Sequence, residues 1–145
     1  MSEAIVVGTD GSETAKRAVE EAVRLAKALQ AQVHLVSGFR PTNARVTGAP
    51  TGAAKVWQPL PDSKVDALMQ EAEAAVRLAG VKVKTHVVRG DPAAALLHVA
   101  EDVKASTIVV GNRGMRGGRR VLGSVPNDVS HKAHCNVLIV QTDGS

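Results

Sequence analysis

The segment STIVVGNRGMRGGRRVLGSVPND, residues 106–128, decides the fold. It opens with a β-branched apolar run, which predicts a buried strand over 106–110 that ends at Gly111. A stretch with five glycines and four arginines follows, and Gly123-Ser124 then opens a short helix predicted over 124–133. The composition of residues 111–128 alone is compatible with three interpretations: a disordered basic loop, a nucleic-acid tether or a cradle for phosphate groups.

The rest of the chain alternates strands and helices in the same way. Short apolar runs predict strands at 4–7, 32–39, 81–89, 106–110 and 137–140. Apolar residues spaced by three and four predict helices at 13–30, at 62–79, after the Asp91 cap with Pro92 at the first position, and at 124–133. This alternation predicts a three-layer α/β/α fold, with four helices covering a five-stranded parallel sheet, for which we take the strand order 3-2-1-4-5.

Length and composition narrow the class of protein. The 145 residues fit a single domain over 1–145, interrupted by a proline-rich loop at about 41–61. Such a long loop is typical of a lid, a binding loop or a disordered segment. Trp57 lies within it, and three roles are open for this side chain: it packs the loop onto the domain, covers a ligand or contacts a partner subunit. The net charge of +4 allows an anionic ligand, whereas two aromatic residues in the whole chain argue against stacking on nucleic acid.

The number of cysteines and the hydropathy of the chain indicate the cellular compartment. The single cysteine, Cys135, excludes an internal disulfide framework and a multi-cysteine metal site, and it is expected to be a packed, inert thiol. The N-terminal residues lack the pattern of a signal peptide, and no apolar run is long enough to span a membrane. We therefore expect a cytoplasmic protein with no membrane contact.

Two glycine-marked turns are predicted to face each other. In an open α/β sheet, ligands bind beyond the carboxyl ends of the strands where the strand order reverses. For the order 3-2-1-4-5 that point lies between the first and fourth strands, which end at Gly8-Thr9-Asp10 and at Gly111. A helix N-terminus, here at Gly123-Ser124, is a ready site for an anion.

The residues at this point each allow two interpretations. Asp10 is either the N-cap of the first helix, with Glu13 completing a capping box, or a ligand of the bound molecule. Ser124 either caps its helix or donates its hydroxyl to a phosphate. The arginines at 113, 116, 119 and 120 are mostly solvated loop residues, of which one or two clamp phosphates.

Other site motifs are missing from the sequence. There is no P-loop motif, and no Gly-x-Gly-x-x-Gly follows the first strand. The five histidines have no recognisable metal spacing, and His131 and His134 are expected on the surface of the last helix. We therefore predict neither a metal site nor a catalytic residue.

Two long stretches carry a family resemblance. The segments IVVGTDGSETAKRAVEEAVRLA, from residue 5, and IVVGNRGMRGGRRVLGSVPNDVSHKAHCNVLIV, from residue 108, resemble the nucleotide-binding branch of the universal stress proteins. The ATP motif of that family reads Gly, two residues, Gly, nine residues, then Gly-Ser or Gly-Thr. Here Gly111, Gly114 and Gly123-Ser124 follow it with eight residues in the second interval, one fewer than the motif.

The resemblance implies a fold, a ligand and a set of site residues. The fold is that of the adenine nucleotide alpha hydrolases, and the ligand is ATP, with or without Mg²⁺. Asp10 would bind the ribose or help to place a metal, and Ser37 would border the base. The implied nucleotide-binding residues are Gly8, Thr9, Asp10, Ser37, Val110, Gly111, Gly114, Gly123, Ser124 and Val125.

The resemblance also implies a regulatory role in the stress response and a homodimer through the last strand, Val137 to Val140. Any ATP hydrolysis would be slow, since Asp10 is the one candidate base and phosphoryl transfer needs a metal and a positioned nucleophile. An alternative is a stress protein of the same fold that holds no ATP, or binds cyclic AMP, and acts through protein contacts. A weak ATPase or phosphotransferase ranks below both.

Overall fold

The structure, a computed structural model, describes residues 3–10, 12–39, 62–112 and 124–141. Five strands and four helices alternate along these residues. They are β1 (Ala4–Gly8), α1 (Glu13–Leu29), β2 (Gln32–Phe39), α2 (Asp62–Leu78), β3 (Val83–Arg89), α3 (Pro92–Val103), β4 (Thr107–Gly111), α4 (Ser124–Lys132) and β5 (Asn136–Val140). The predicted loop at 41–61, with Trp57, lies outside the described residues, as does most of the glycine-rich stretch after Asn112.

The strands form one sheet of order β3-β2-β1-β4-β5, in which every neighbouring pair is parallel. This confirms the predicted fold class and strand order. β1 is central and pairs with β2 on one side and β4 on the other, whereas β3 and β5 are the edge strands. Among the described residues, no helix combines the length and the apolar character that crossing a membrane requires.

The strands of the sheet bury side chains on both faces. On one face, Ile5 and Val7 of β1 join a core cluster with α1 and α2, to which Ala22 and Val76 contribute. On the other face, Val6 of β1 joins a second cluster, formed with α3 and α4. Because alternate residues of a strand point to opposite faces, a strand buried on both faces must be apolar throughout, and the centre of β1 is.

The N-cap of α1 differs from the prediction. Ser12 is the N-cap, because its backbone is extended and its Oγ accepts a hydrogen bond from the Ala15 amide at 3.1 Å. Asp10 instead accepts a hydrogen bond from the Ser12 amide at 2.9 Å. The interpretation of Asp10 as the cap of a box completed by Glu13 is therefore wrong, since Glu13 is already the first residue of the helix.

The N-terminus of α3 is built as predicted. Asp91 is extended and accepts a hydrogen bond from the Ala94 amide at 3.1 Å, and Pro92 occupies the first turn. Other boundaries differ from the predictions by one or two residues. β3 begins at Val83 rather than at residue 81, and α4 ends at Lys132, so His134 lies beyond the helix that was predicted to hold it.

Two helices end on residues other than glycine in the left-handed region. Gln30 follows α1 with φ 57° and Lys104 follows α3 with φ 53°. A side chain in this conformation costs energy that glycine avoids, and glycine is for this reason the common residue just after a helix.

We expect Gln30→Gly to raise the free energy of unfolding by about 0.5–1 kcal/mol, because it removes the steric cost of the left-handed conformation. Urea unfolding measures the change. The matched control is Ala28→Gly, an exposed position in the last turn of the same helix, where glycine should lower stability by about 1 kcal/mol. A destabilised Gln30→Gly protein would contradict the prediction.

Candidate functional site

The strand order reverses at the carboxyl ends of β1 and β4, which lie side by side. A crevice of about 440 Å³ opens there, and we call it the switch-point crevice. This volume falls within the roughly 300–1,000 Å³ typical of small-molecule sites. The lining residues are Gly8, Thr9, Asp10, Ser12, Thr14, Ala15, Ala18, Val36, Gly38, Pro92, Leu96, Val110, Gly111, Ser124, Val125 and Pro126.

Seven of the ten predicted binding residues line this crevice. They are Gly8, Thr9, Asp10, Val110, Gly111, Ser124 and Val125. Gly114 and Gly123 lie outside the described residues. The two turns that sequence analysis placed face to face, after β1 and after β4, therefore do border one cavity.

Ser37 is the predicted residue that does not line the crevice. Its side chain is 7% exposed, and strand alternation points it to the same face as Leu35, towards the core formed with α1 and α2. Its neighbours Val36 and Gly38 line the crevice in its place. The strand end was located correctly, but the side chains that face the cavity belong to the alternate positions.

Three helix N-termini open into the crevice. The first turns of α1 and α3 contribute Ser12 and Pro92, and α4 contributes its first three residues, Ser124, Val125 and Pro126. Helix N-termini carry free amide groups and the positive end of the helix dipole. Pro92 has no amide hydrogen and the Asp91 carboxylate caps α3, so the N-termini of α1 and α4 are the ones that favour a negatively charged ligand. Asp10 is the one charged side chain among the described lining residues.

Hydrogen bonds hold the floor of the crevice in place. The Thr9 amide donates to the Val36 carbonyl at 2.9 Å, which extends the pairing of β1 with β2 beyond the end of β1. On the other side, the Asn112 amide donates to the Val140 carbonyl at 2.9 Å, which fixes the chain as it leaves β4. The backbone around the ligand space is therefore tied to the sheet on both sides.

Gly38 is a structurally important residue that sequence analysis did not single out. A Cβ at this position would lie 2.8 Å from Ala95 Cβ and 2.9 Å from Pro92 Cα. Both distances are too short for real atoms, so the first turn of α3 packs directly on the backbone of β2. A glycine within a strand often marks such a close approach.

Sequence analysis also did not identify the residues that form the side walls of the crevice. Thr14 and Ala15 of α1 form one wall, and Leu96 of α3 forms part of the other. The helical spacing of Ala15 and Leu96 predicts packing onto the core, and no sequence pattern includes Thr14. A helix that covers the sheet at its carboxyl end presents its first turn to the cavity, but only the tertiary arrangement shows which residues face it.

Cys135, the other residue considered for reactivity, has a structural role. Burial raises the pKa of the Cys135 thiol, which suits the packed, unreactive cysteine that was expected. Cys135 borders a second groove, of about 520 Å³, between α3 and α4, whose lining includes acidic and basic side chains. Within the described part of the chain, no group of three or more His, Cys, Asp or Glu side chains is arranged to hold a metal ion.

Known proteins match the chain over nearly its whole length. The model of the universal stress protein family matches residues 1–141. Universal stress protein Rv1636 of Mycobacterium tuberculosis (strain ATCC 25618 / H37Rv) is 34% identical over 140 residues, which cover 95% of each chain.

Solved structures give the same result. A universal stress protein crystallised in complex with cAMP superposes with a TM-score of 0.75 at 33% identity, covering 98% of each chain. The hypothetical protein MJ0577 superposes with a TM-score of 0.83 at 24% identity, covering 100% of this chain and 99% of that one, which shows the shared fold.

We expect Gly38→Ala to lower the free energy of unfolding by about 1–3 kcal/mol, because the added methyl overlaps the backbone of α3. Gly8→Ala is the matched control, since the three atoms nearest to a Cβ at Gly8 all belong to the Leu96 side chain and lie no closer than 3.4 Å. It should cost less than about 1 kcal/mol. Chemical denaturation measures both, and equal losses in the two variants would contradict the close approach at Gly38.

Proposed function

The chain belongs to the universal stress protein family, and on that basis we propose that it is a regulatory protein that binds an adenine nucleotide, ATP, in the switch-point crevice. The observation that carries this proposal is the position of α4. Its N-terminus lines a crevice of about 440 Å³ at the carboxyl ends of β1 and β4, where an open α/β sheet binds its ligand.

In this proposal the phosphates lie at the N-terminus of α4. The first-turn amides other than that of Pro126, which has no N–H, and the Ser124 hydroxyl supply donors, and the first turn holds no acidic residue that would repel an anion. Gly114 and Gly123, which the family resemblance assigns to the same role, lie outside the described residues. Gly111 would let the chain pass close to the ligand as it leaves β4.

The adenosine part would lie between the ends of β1 and β2. Gly8 and Thr9 provide backbone there, and Val36 and Leu96 provide apolar contact for a purine face. Asp10 is exposed and lines the same end, so its carboxylate is available to a ribose hydroxyl. The residues of β2 that take part are then Val36 and Gly38.

Magnesium would depend on the nucleotide for most of its ligands. Asp10 is the one carboxylate in the described lining, and it already accepts a hydrogen bond from the Ser12 amide. Mg²⁺ is commonly held by one or two carboxylates together with substrate phosphates and water. Asp10 fits that pattern as a single ligand and does not form a metal site by itself.

A regulatory role fits this lining better than an enzymatic one. Phosphoryl transfer requires a positioned nucleophile, charge stabilisation and usually a metal. The described lining offers small and apolar side chains, two serines, two threonines and one carboxylate. We therefore propose that the protein holds its nucleotide with slow hydrolysis or none. The proposal assigns it to the cytoplasm, where a chain with one unpaired cysteine is expected.

Cyclic AMP is the second candidate ligand. The structure that shares 33% identity with this chain was solved in complex with cAMP. A cyclic phosphodiester is smaller than a triphosphate, and the shortened interval between Gly114 and Gly123 is compatible with it. Calorimetric titration with ATP and magnesium, and separately with cAMP, distinguishes the two candidates. If ATP is the ligand, it should bind at least tenfold more tightly than cAMP.

A denatured sample of the purified protein should release the nucleotide that it carried. Chromatography of the supernatant then identifies that nucleotide. A sample that releases none, and that shows no thermal shift with ATP and magnesium at millimolar concentration, would contradict the ATP proposal. A thermal shift with cAMP alone would favour the second candidate.

We expect Ser124→Ala to weaken ATP binding by about tenfold, because a hydrogen bond to a charged phosphate is lost. Adenosine, which has no phosphate, should bind the variant and the wild type equally. The matched control is Ser130→Ala on the same helix, whose hydroxyl donates to the Asn127 carbonyl and does not line the crevice. Equal ATP affinity in the Ser124→Ala protein would place the phosphates elsewhere.

We also propose that the protein forms a homodimer through β5. This strand is a sheet edge, and it exposes Leu138 and Ile139 by 38% and 37%. An exposed apolar edge can pair with a second copy of itself. The opposite edge, β3, carries Lys84 and Arg89 on its exposed positions, which discourages pairing.

We expect Ile139→Lys to convert the dimer into a monomer, because two buried lysines would face each other across a symmetric interface. Light scattering at micromolar concentration measures the mass. Val87→Lys, at an exposed apolar position of β3, is the control and should leave the mass unchanged. A wild-type protein that is already monomeric would refute the dimer.

A further inference from the structure

Two imidazole rings meet between the sheet and α3. His34 of β2 and His86 of β3 lie on neighbouring strands, with His34 Nδ1 and His86 Nε2 3.0 Å apart. Their ring centroids are 5.2 Å apart, and His34 is 5% exposed. One nitrogen must donate and the other must accept, so this hydrogen bond requires at least one neutral ring.

The surroundings of the pair disfavour positive charge. Burial lowers the pKa of His34 most, and His86 and Lys84 lower it further. Burial and Lys84 also lower the pKa of His86, against a smaller opposing effect of Asp102. On the β1 side, His34 pairs in register with Val6, which is apolar.

From α3, Asp102 is the acidic group that faces the pair, and it lies 3.9 Å from His98 on the same helix. Both of these side chains are largely exposed. Asp102 is therefore screened by water, and it offsets only part of the burial cost that a protonated pair carries.

The same face of β2 leads from the pair to the switch-point crevice. His34, Val36 and Gly38 alternate along it, and the last two line the crevice. α3 covers this face, with Leu96 and Val99 buried in the core cluster that includes Val36. The first turn of α3 rests on Gly38 and forms part of the crevice wall.

We propose that His34 and His86 form an acid-sensitive latch, which holds α3 on the sheet while the pair is neutral and loosens α3, and with it the nucleotide site, when the pair is charged. The second half rests on the proposed function, and the first half does not. A doubly protonated pair has no acceptor left, and its two charges repel each other beneath the helix.

The direction of the effect follows from the lowered pKa of both rings. Well above pH 6.5 the rings are neutral in the folded and in the opened chain, so the latch is closed and pH has no effect. As the pH falls below 6.5, the opened chain binds protons first, and stability is lost until the folded pKa is passed. By reciprocity, a ligand that needs α3 in place lowers the pKa of the pair further.

The test compares the wild type with the double variant His34→Asn/His86→Gln. The Asn and Gln amides occupy the positions of Nδ1 and Nε2, so the variant keeps a hydrogen bond and cannot titrate. His131→Gln, at an exposed position near the end of α4, is the matched control. Thermal unfolding is measured from pH 7.5 to 5.5 without nucleotide.

Lowering the pH should reduce the unfolding temperature of the wild type and of the control by at least about 3 °C more than that of the double variant. The affinity for ATP and magnesium should fall about fivefold more in the wild type than in the double variant. Protonation of ATP itself affects both proteins equally and cancels in the comparison. Equal acid sensitivity of wild type and double variant would overturn the latch.

Two further results keep the latch and the nucleotide site distinguishable. If ATP binds neither protein at any pH, the proposed function fails, and the unfolding temperatures still decide the latch. If the double variant does not fold, nuclear magnetic resonance of the wild type decides. Two imidazoles should then titrate below pH 6.5 together with faster amide exchange in α3, and titration without faster exchange would overturn the proposal.

Discussion

The rest of the structure depends on the burial of β1 between two parallel neighbours. Ile5, Val6 and Val7 are all completely buried, and the strand pairs with β2 on one side and with β4 on the other. The chain first builds outwards from β1 through β2 to β3, then returns to the far side of β1 for β4. This reversal separates α1 and α3 at the end of β1 and leaves the crevice between them.

Most of the architecture could be predicted because it follows from hydrophobic pattern and handedness. Short apolar runs separated by amphipathic segments require a buried parallel sheet, and right-handed crossovers leave few possible strand orders. The sequence did not determine which residue is the N-cap of α1. Asp10 and Ser12 are both good capping residues, and only the geometry shows that Ser12 bonds the Ala15 amide while Asp10 bonds the Ser12 amide.

The candidate site was predictable where backbone defines it and less so where side chains do. The turns at Gly8 and Gly111 are marked by glycine directly after buried strands, so their meeting follows from the strand order. Ser37 shows the limit of that reasoning. The end of β2 was located, but a shift of one residue along a strand reverses the face, and Val36 and Gly38 face the crevice instead. No local sequence feature identifies Thr14 and Leu96 as lining residues, because their position depends on how two helices pack on the sheet.

α3 links stability to the site more directly than any other helix. Its first turn forms crevice wall, its middle buries Leu96 and Val99 in the core, and its last turn brings Asp102 near His86. Close packing against Gly38 leaves the helix little room to move without changing the crevice. In the proposed latch, a ligand that contacts the first turn would stabilise the helix, and protonation beneath the helix would weaken binding of that ligand. The proposed latch needs no separate signalling element, since α3 extends from the crevice wall to the histidine pair.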